Sequence, residues 1–112
     1  MQNTFLQPEM TPMNVNAKLT RMLEEIPTIG ATTDEENPKA YLKFFNMVGR
    51  GEWYATEMAV DNDDLLMFGY VKSPLGADCD EFGYFTLKQL LEVPVIELDL
   101  YFEPCRIKEV MT

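Results

Sequence analysis

Histidine is absent from this sequence, and cysteine occurs only twice. Histidine supplies the usual general base at neutral pH and the commonest transition-metal ligand, so its absence argues against the most frequent catalytic and metal sites. Cys79 and Cys105 have no CxxC spacing, and two thiols make neither a disulfide framework nor a zinc site. We therefore predict no cofactor and no metal, interpret both thiols as reduced, and favour a protein that is not an enzyme.

Long apolar runs are also missing. No segment approaches the roughly 18 consecutive apolar residues of a membrane span, and the N-terminal residues lack a basic stretch followed by an apolar one. We therefore expect a cytoplasmic protein that does not contact a membrane.

Positive charge is scarce, with 9 Lys and Arg against 19 Asp and Glu and a formal net charge of −10. This charge exceeds the magnitude of about 2–8 that serves the solubility of a small domain. Because nucleic-acid binding needs basic side chains to neutralise phosphates, direct binding of DNA or RNA is not expected. The same negative field attracts a basic surface, including the nucleic-acid groove of another protein.

The length of 112 residues fits one domain, and a hydrophobic content of 46% is enough for one core. We predict a flexible N-terminal arm over residues 1–15, which lacks periodicity, and a single domain over residues 16–112. Residues 16–26 are predicted to form an amphipathic helix, because apolar residues recur at the i, i+3, i+4 and i+7 spacing of one helix face. These residues are Leu19, Met22, Leu23 and Ile26.

Strand patterns follow an acidic, turn-rich segment. Four apolar and aromatic runs are separated by turn residues, and the pair Thr86 and Gln89 then forms a capping box that opens a short helix before a last strand. The predicted strands cover residues 40–46, 53–58, 65–71, 81–85 and 95–102. This order indicates an α+β domain with a mostly antiparallel sheet of about five strands, an N-terminal amphipathic helix and a short helix before the last strand.

The last predicted strand alternates apolar and polar residues. The alternation places Glu97, Asp99 and Tyr101 on the solvent face, and Glu103 closes the strand. An exposed tyrosine among carboxylates is a good interface anchor, because aromatic rings bury a large area at a low cost in entropy. We predict that these four residues form a partner-binding surface.

A ligand pocket between the long helix and the sheet is the alternative candidate site. It would be formed near Trp53, Tyr54, Glu57 and Tyr84, since ligand pockets combine an apolar lining with a few polar groups. The carboxylates of Glu57, Glu81 and Asp99 could also converge for acid–base work, as in sugar-cleaving enzymes. Charges that protect sheet edges from aggregation explain Glu57 and Glu81 more simply.

Two further patterns have structural interpretations. Gly69 and Gly83 lie inside strand patterns, which indicates bulges or a close approach of backbones. The acidic run at residues 61–64 resembles the start of a calcium loop, but such a loop would require glycine and glutamate where Leu66 and Lys72 stand. We predict a solvated hairpin turn there.

Four strings of residues occur in an order that is similar to a known family. They are Trp53-Tyr54-Ala55-Thr56-Glu57, Phe68-Gly69-Tyr70-Val71, Glu81-Phe82-Gly83-Tyr84-Phe85-Thr86-Leu87 and Asp99-Leu100-Tyr101-Phe102-Glu103-Pro104. Together they resemble the bacterial and phage family called domain of unknown function 2958, over residues 22–104. The chain departs from the family pattern at Leu98, where the pattern has arginine, and at Gln89, where an acidic residue is usual.

The resemblance implies a genetic context, since proteins of this family are carried on plasmids, integrative elements and phages, often near genes that counter host defence. Two functions remain open. One is an acidic, non-enzymatic interaction protein of a mobile element or phage, which blocks a nucleic-acid-binding host defence factor by charge mimicry and has that basic protein as its partner. The other is a small-ligand-binding or carboxylate-based enzymatic module that uses the pocket.

Overall fold

The computed structural model describes residues 12–111, with side chains from residue 16 onward. The elements are α1 Pro12–Leu23, β1 Lys39–Ala40, β2 Leu42–Asn46, β3 Glu52–Asp61, β4 Asp64–Lys72, a 3₁₀ helix Ala77–Cys79, β5 Glu81–Thr86, α2 Leu87–Leu91, β6 Ile96–Leu98, β7 Cys105–Arg106 and α3 Ile107–Val110. The predicted α+β domain is confirmed, with its N-terminal helix and the short helix α2 before β6.

The main sheet has five strands in the order β5-β4-β3-β2-β6, and each neighbouring pair is antiparallel. A separate two-stranded ladder joins β1 to β7. The order confirms the predicted antiparallel sheet of five strands. It also makes β5 and β6 the two opposite edges.

The main core lies between one face of the sheet and the helices α1 and α2. Leu19, Met22 and Ile26 are buried there, as predicted, whereas Leu23, the fourth residue of the predicted apolar stripe, is 39% exposed. The sheet contributes buried residues from each strand, namely Leu42, Phe44, Ala55, Met58, Met67, Phe85, Ile96 and Leu98. A smaller cluster lies on the other face and consists of Ala40, Tyr54, Tyr70 and Ile107.

The first helix begins at Pro12, four residues before the predicted start. Proline is favoured at the first helical position because its fixed φ suits the helix and its missing N–H would have no helical partner there. The helix ends at Leu23, and the amide of Ile26 closes one more turn on the carbonyl of Met22 at 2.8 Å. Residues 1–11 of the predicted arm lie outside the described residues.

The last strand is shorter than predicted, because β6 ends at Leu98 and a turn follows. The side chain of Asp99 accepts a hydrogen bond from the amide of Tyr101 at 2.9 Å, a local bond that favours a turn over an extended strand. Glu97 is fully buried rather than exposed. All three residues of β6 are buried, so both faces of the sheet are covered there and alternation does not separate an inner from an outer face.

Candidate functional site

Strand β3 carries one extra residue opposite β4. Ala55 pairs with Gly69, but the next pair joins Glu57 to Phe68, so Thr56 is the inserted residue of a β-bulge. The hydroxyl of Thr56 donates to the carbonyl oxygen of Phe68 at 3.1 Å, which ties the bulge to its neighbouring strand. The bulge places Glu57 on the same face of the sheet as Phe68.

Gly69 is the residue that accommodates this bulge. A Cβ atom at Gly69 would lie 1.6 Å from the carbonyl oxygen of Tyr54, a distance that no side chain tolerates. The predicted close backbone approach is therefore confirmed at this glycine. Gly83 pairs with Gly69 in a regular register, and a Cβ atom there would meet nothing within 4 Å, so neither a bulge nor a close approach occurs at Gly83.

The carboxylate of Glu57 anchors the loop that follows α1. It accepts the amide N–H of Gly30 and the amide N–H of Thr32, both at 2.8 Å, and the hydroxyl of Thr32. Burial alone would raise the pKa of Glu57, but the hydrogen bonds from Thr32 and Gly30 together outweigh it and lower this pKa. Glu57 is therefore a charged, structural carboxylate that fixes the loop against the sheet.

Between this loop and the sheet lies a cleft of about 430 Å³. Its floor is formed by the rings of Phe68, Phe82 and Tyr84. The ring centroids of Phe68 and Tyr84 are 5.0 Å apart with a tilt of 59°, and Phe68 stacks with Phe82 at 6.1 Å. Phe82 is 40% exposed and Tyr84 is 64% exposed, so two large aromatic side chains face solvent on edge strand β5.

The opposite wall of the cleft is the loop itself, and this wall is acidic. Gly30, Thr32 and Thr33 line it next to Glu35 and Glu36, whose side chains are exposed. No lysine or arginine is among the described residues that line the cleft. We call this site the aromatic–acidic cleft.

The structure brings together two of the four residues predicted for a ligand pocket, Glu57 and Tyr84. Trp53 instead packs against the main core, and Tyr54 belongs to the smaller cluster, where its hydroxyl donates to Glu52 at 2.6 Å. The four residues therefore do not line one pocket between the long helix and the sheet. The bulge turns Glu57 away from the helix-covered face, so the cleft opens on the other face.

The predicted partner-binding residues occupy the turn after β6 and not one continuous strand. Tyr101 is 69% exposed and Glu103 is exposed, as predicted, and Asp99 is half-buried. Glu97, being buried, is not part of any surface. The ammonium of Lys18 on α1 donates to the carbonyl of Phe102 at 2.9 Å, and this contact fastens the helix to the turn.

The carboxylates considered for acid–base work are not brought together. Glu81 begins β5 and Asp99 follows β6, and these strands are the two opposite edges of the sheet.

The acidic run at residues 61–64 is the hairpin that joins β3 to β4, as predicted: Asp61 pairs with Asp64, and Asn62 has a positive φ of 58°. Within the described residues, no group of acidic or cysteine side chains could hold a metal ion.

Several cleft residues were missed by the sequence analysis, namely Thr32, Glu35, Glu36, Phe68 and Phe82. The loop residues were interpreted as an acidic turn, because nothing in their pattern indicates which strand they contact. The glycine at position 69 was the usable signal, since a glycine within a strand marks a bulge that re-aims a neighbouring side chain.

Fold and site together define a small α+β domain with an open aromatic–acidic cleft on the sheet face that α1 does not cover. The family model described as "Protein of unknown function (DUF2958)" matches residues 11–108, and the chain therefore belongs to this family. Comparisons with curated proteins and with solved structures gave no match. Within the described residues, no helix combines the length and apolar character needed to cross a membrane.

Proposed function

We propose that this protein is a non-enzymatic interaction protein that binds a basic, nucleic-acid-binding protein and competes with its nucleic acid. The genetic context implied by the family resemblance makes a host defence factor the proposed partner, countered by a mobile element or phage. The observation that carries this proposal is the distribution of charge on the described surface.

Four of the nine basic side chains form ion pairs with carboxylates of the same domain: Arg50 with Asp80 at 2.6 Å, Lys88 with Asp63 at 2.7 Å, and both Lys43 and Lys72 with Glu52 at 3.8 Å. Many other carboxylates are exposed, including Asp34, Glu35, Glu36, Asp78, Glu81 and Glu103. With a net charge of −10, the outward field is negative and suits a groove built for phosphates.

Glu57 supports a binding role over an acid–base role. Both of its oxygens accept hydrogen bonds from the loop, and its carboxylate is held in the charged form. A general acid or base needs a proton to exchange with a substrate, and these bonds leave Glu57 committed to structure.

The test is capture of a partner from a nuclease-treated bacterial lysate on the immobilised protein, followed by elution with duplex DNA. The expected result is a basic nucleic-acid-binding protein that DNA releases at constant ionic strength. As a control, neutral dextran of similar mass should release nothing. An empty column, or a captured protein that DNA does not displace, would contradict the proposal.

A small-ligand module is the second candidate function, favoured by the cleft volume of about 430 Å³, which falls within the usual range of ligand pockets. A ligand that binds only the folded state raises the melting temperature by mass action. Thermal-shift screening with nucleotides, sugars and divalent cations tests this candidate. A hit that is lost in Tyr84→Leu would support it, and a screen without shifts would exclude those ligand classes.

A further inference from the structure

We propose that the aromatic–acidic cleft binds an arginine side chain of the partner, with the guanidinium lying on the ring of Tyr84 and paired with Glu35 or Glu36. This inference rests on the proposed function, because it assumes a basic protein partner. It goes further by assigning one site and one side-chain type to the contact.

The aromatic floor provides the first argument. Phe82 and Tyr84 are exposed on an edge strand, although a soluble domain gains by burying such rings. Their ring faces carry the negative side of the aromatic quadrupole, which attracts a cation. The chain already uses this chemistry elsewhere, since the ammonium of Lys43 lies 5.8 Å from the ring centroid of Tyr54.

The acidic wall provides the second argument. The side chains of Glu35 and Glu36 make no ion pair or hydrogen bond with any described residue, and no described cation lines the cleft. Negative charge therefore faces the aromatic floor without a positive partner from the described part of the chain. A cation bound between the two walls would satisfy both.

Hydrogen bonds anchor the loop that forms the acidic wall of the cleft. Glu57 holds the backbone at Gly30 and Thr32 through hydrogen bonds, and the hydroxyl of Thr33 donates to the carbonyl of Gly30 at 2.8 Å. The backbone segment that leads to Glu35 and Glu36 is therefore held beside the cleft. Such preorganisation reduces the ordering cost of binding.

Arginine suits this cleft better than lysine does. The guanidinium is planar, so it stacks on an aromatic ring while its N–H groups bind a carboxylate in its own plane. A lysine ammonium is a compact, strongly hydrated charge that gains less from a flat ring. The volume of about 430 Å³ accommodates one long side chain.

The experiment is an NMR titration of the full chain with acetyl-Gly-Arg-Gly-Arg-Gly-amide, alongside the lysine and citrulline versions of the same peptide. The expected result is tighter binding of the arginine peptide, with amide shifts concentrated at residues 30–36 and 82–84. Equal affinity for the lysine peptide, or shifts elsewhere, would overturn the assignment.

Matched variants distinguish peptide binding in the cleft from attraction by the overall negative charge of the domain. The double variant Glu35→Gln/Glu36→Gln removes two exposed charges from the cleft, and Glu24→Gln/Glu25→Gln removes two exposed charges at the end of α1. We expect the first pair to weaken peptide binding by about fivefold, since an exposed ion pair is worth up to about 1 kcal/mol, and the second pair to change it by less than about twofold. Equal weakening of peptide binding by both double variants would overturn the assignment of the arginine site to the cleft.

Two substitutions at Tyr84 test the aromatic floor. Tyr84→Phe keeps the ring and should retain binding, whereas Tyr84→Leu keeps an apolar group without a π face and should weaken binding by about two- to fivefold.

If the cleft variants leave the DNA-displaceable capture of the partner intact, the cleft assignment fails while the proposed function stands. If no partner is captured but the peptide titration succeeds, the proposed function fails and the cleft stands as a site for arginine.

Discussion

Glu57 lies directly opposite Phe68 in the sheet, although an unbroken register from Ala55 would place Thr56 there. The extra residue places the carboxylate of Glu57, which holds the loop, beside the ring of Phe68, which forms part of the cleft floor. One local irregularity thus connects the backbone of β3, the position of the loop and the shape of the site. The first two predictions concern this connection.

Gly69→Ala should destabilise the domain by about 3 kcal/mol or more, because its Cβ would overlap the carbonyl oxygen of Tyr54 and the two strands would have to separate. Gly83→Ala is the matched control on the paired position. Its Cβ meets nothing within 4 Å and Gly83 lacks a positive φ, so stability should stay equal or rise by up to about 1 kcal/mol. Urea unfolding of both variants tests this, and similar midpoints would contradict it.

Glu57→Gln should lower the free energy of unfolding by about 2–3 kcal/mol, because an NH2 group replaces one carboxylate oxygen and then faces the N–H of either Gly30 or Thr32, which it cannot accept. Glu81→Gln, at an exposed position at the start of β5, should change it by less than about 0.5 kcal/mol. Hydrogen exchange should also show faster exchange of the Gly30 and Thr32 amides in Glu57→Gln. Unchanged exchange at these amides would mean that Glu57 does not hold the loop.

Acid sensitivity should depend on Asp80. The hydrogen bond from the Arg50 side chain lowers the pKa of Asp80 from 3.8 to about 2, helped by the amide of Ser73. Because the folded-state pKa is the lower one, the stability from Asp80 is fully present above pH 3.8 and is lost as the pH falls toward 2.

Asp80→Asn should therefore reduce stability at pH 7 and flatten its further loss between pH 4 and pH 2, as measured by urea midpoints across that range. Asp78→Asn removes the same charge from an exposed position nearby, and this variant should lose stability between pH 4 and pH 2 as steeply as the original protein does. Parallel curves for the Asp80→Asn variant and the original protein would show that the ion pair with Arg50 does not form in solution.

Glu97→Lys should destabilise the domain by about 3 kcal/mol or more, because Glu97 is fully buried and a reversed charge there has no access to water. Glu103→Lys introduces the same change at an exposed position and should cost less than about 0.5 kcal/mol. Thermal unfolding distinguishes them. Equal melting temperatures would place Glu97 at the surface, as the alternation of the sequence first indicated.

The sequence was sufficient to predict the elements whose signals are local. The apolar spacing of Leu19, Met22 and Ile26 predicted the buried face of the first helix, and the capping box of Thr86 and Gln89 is present with bonds of 3.2 and 3.0 Å. These signals depend on neighbours within one or two turns of chain. They predict the order of α1, α2 and the strands of the main sheet, and with it the fold class, but not the β1–β7 ladder or α3.

The site depends on long-range relationships that local patterns do not encode. Side chains along β3 alternate between the two faces of the sheet, and the bulge at Thr56 interrupts this alternation. Glu57 therefore lies on the opposite face from the one that it would occupy in a regular strand. Glu57 binds Gly30 and Thr32 across more than twenty positions of the chain, and the loop that they belong to lines the cleft. Burial of Glu97 likewise reflects cover on both faces of β6, which depends on the tertiary structure and not on the strand itself.

The face of the sheet that carries the cleft is distinct from the face packed against α1 and α2. Phe82, Tyr84, Glu35 and Glu36 take no part in the main core, which is formed by the other side of the same strands. Substitutions at these four positions would change the proposed arginine site while the packed interior keeps its composition. The chemistry of the cleft and the packing of the interior can therefore be varied separately.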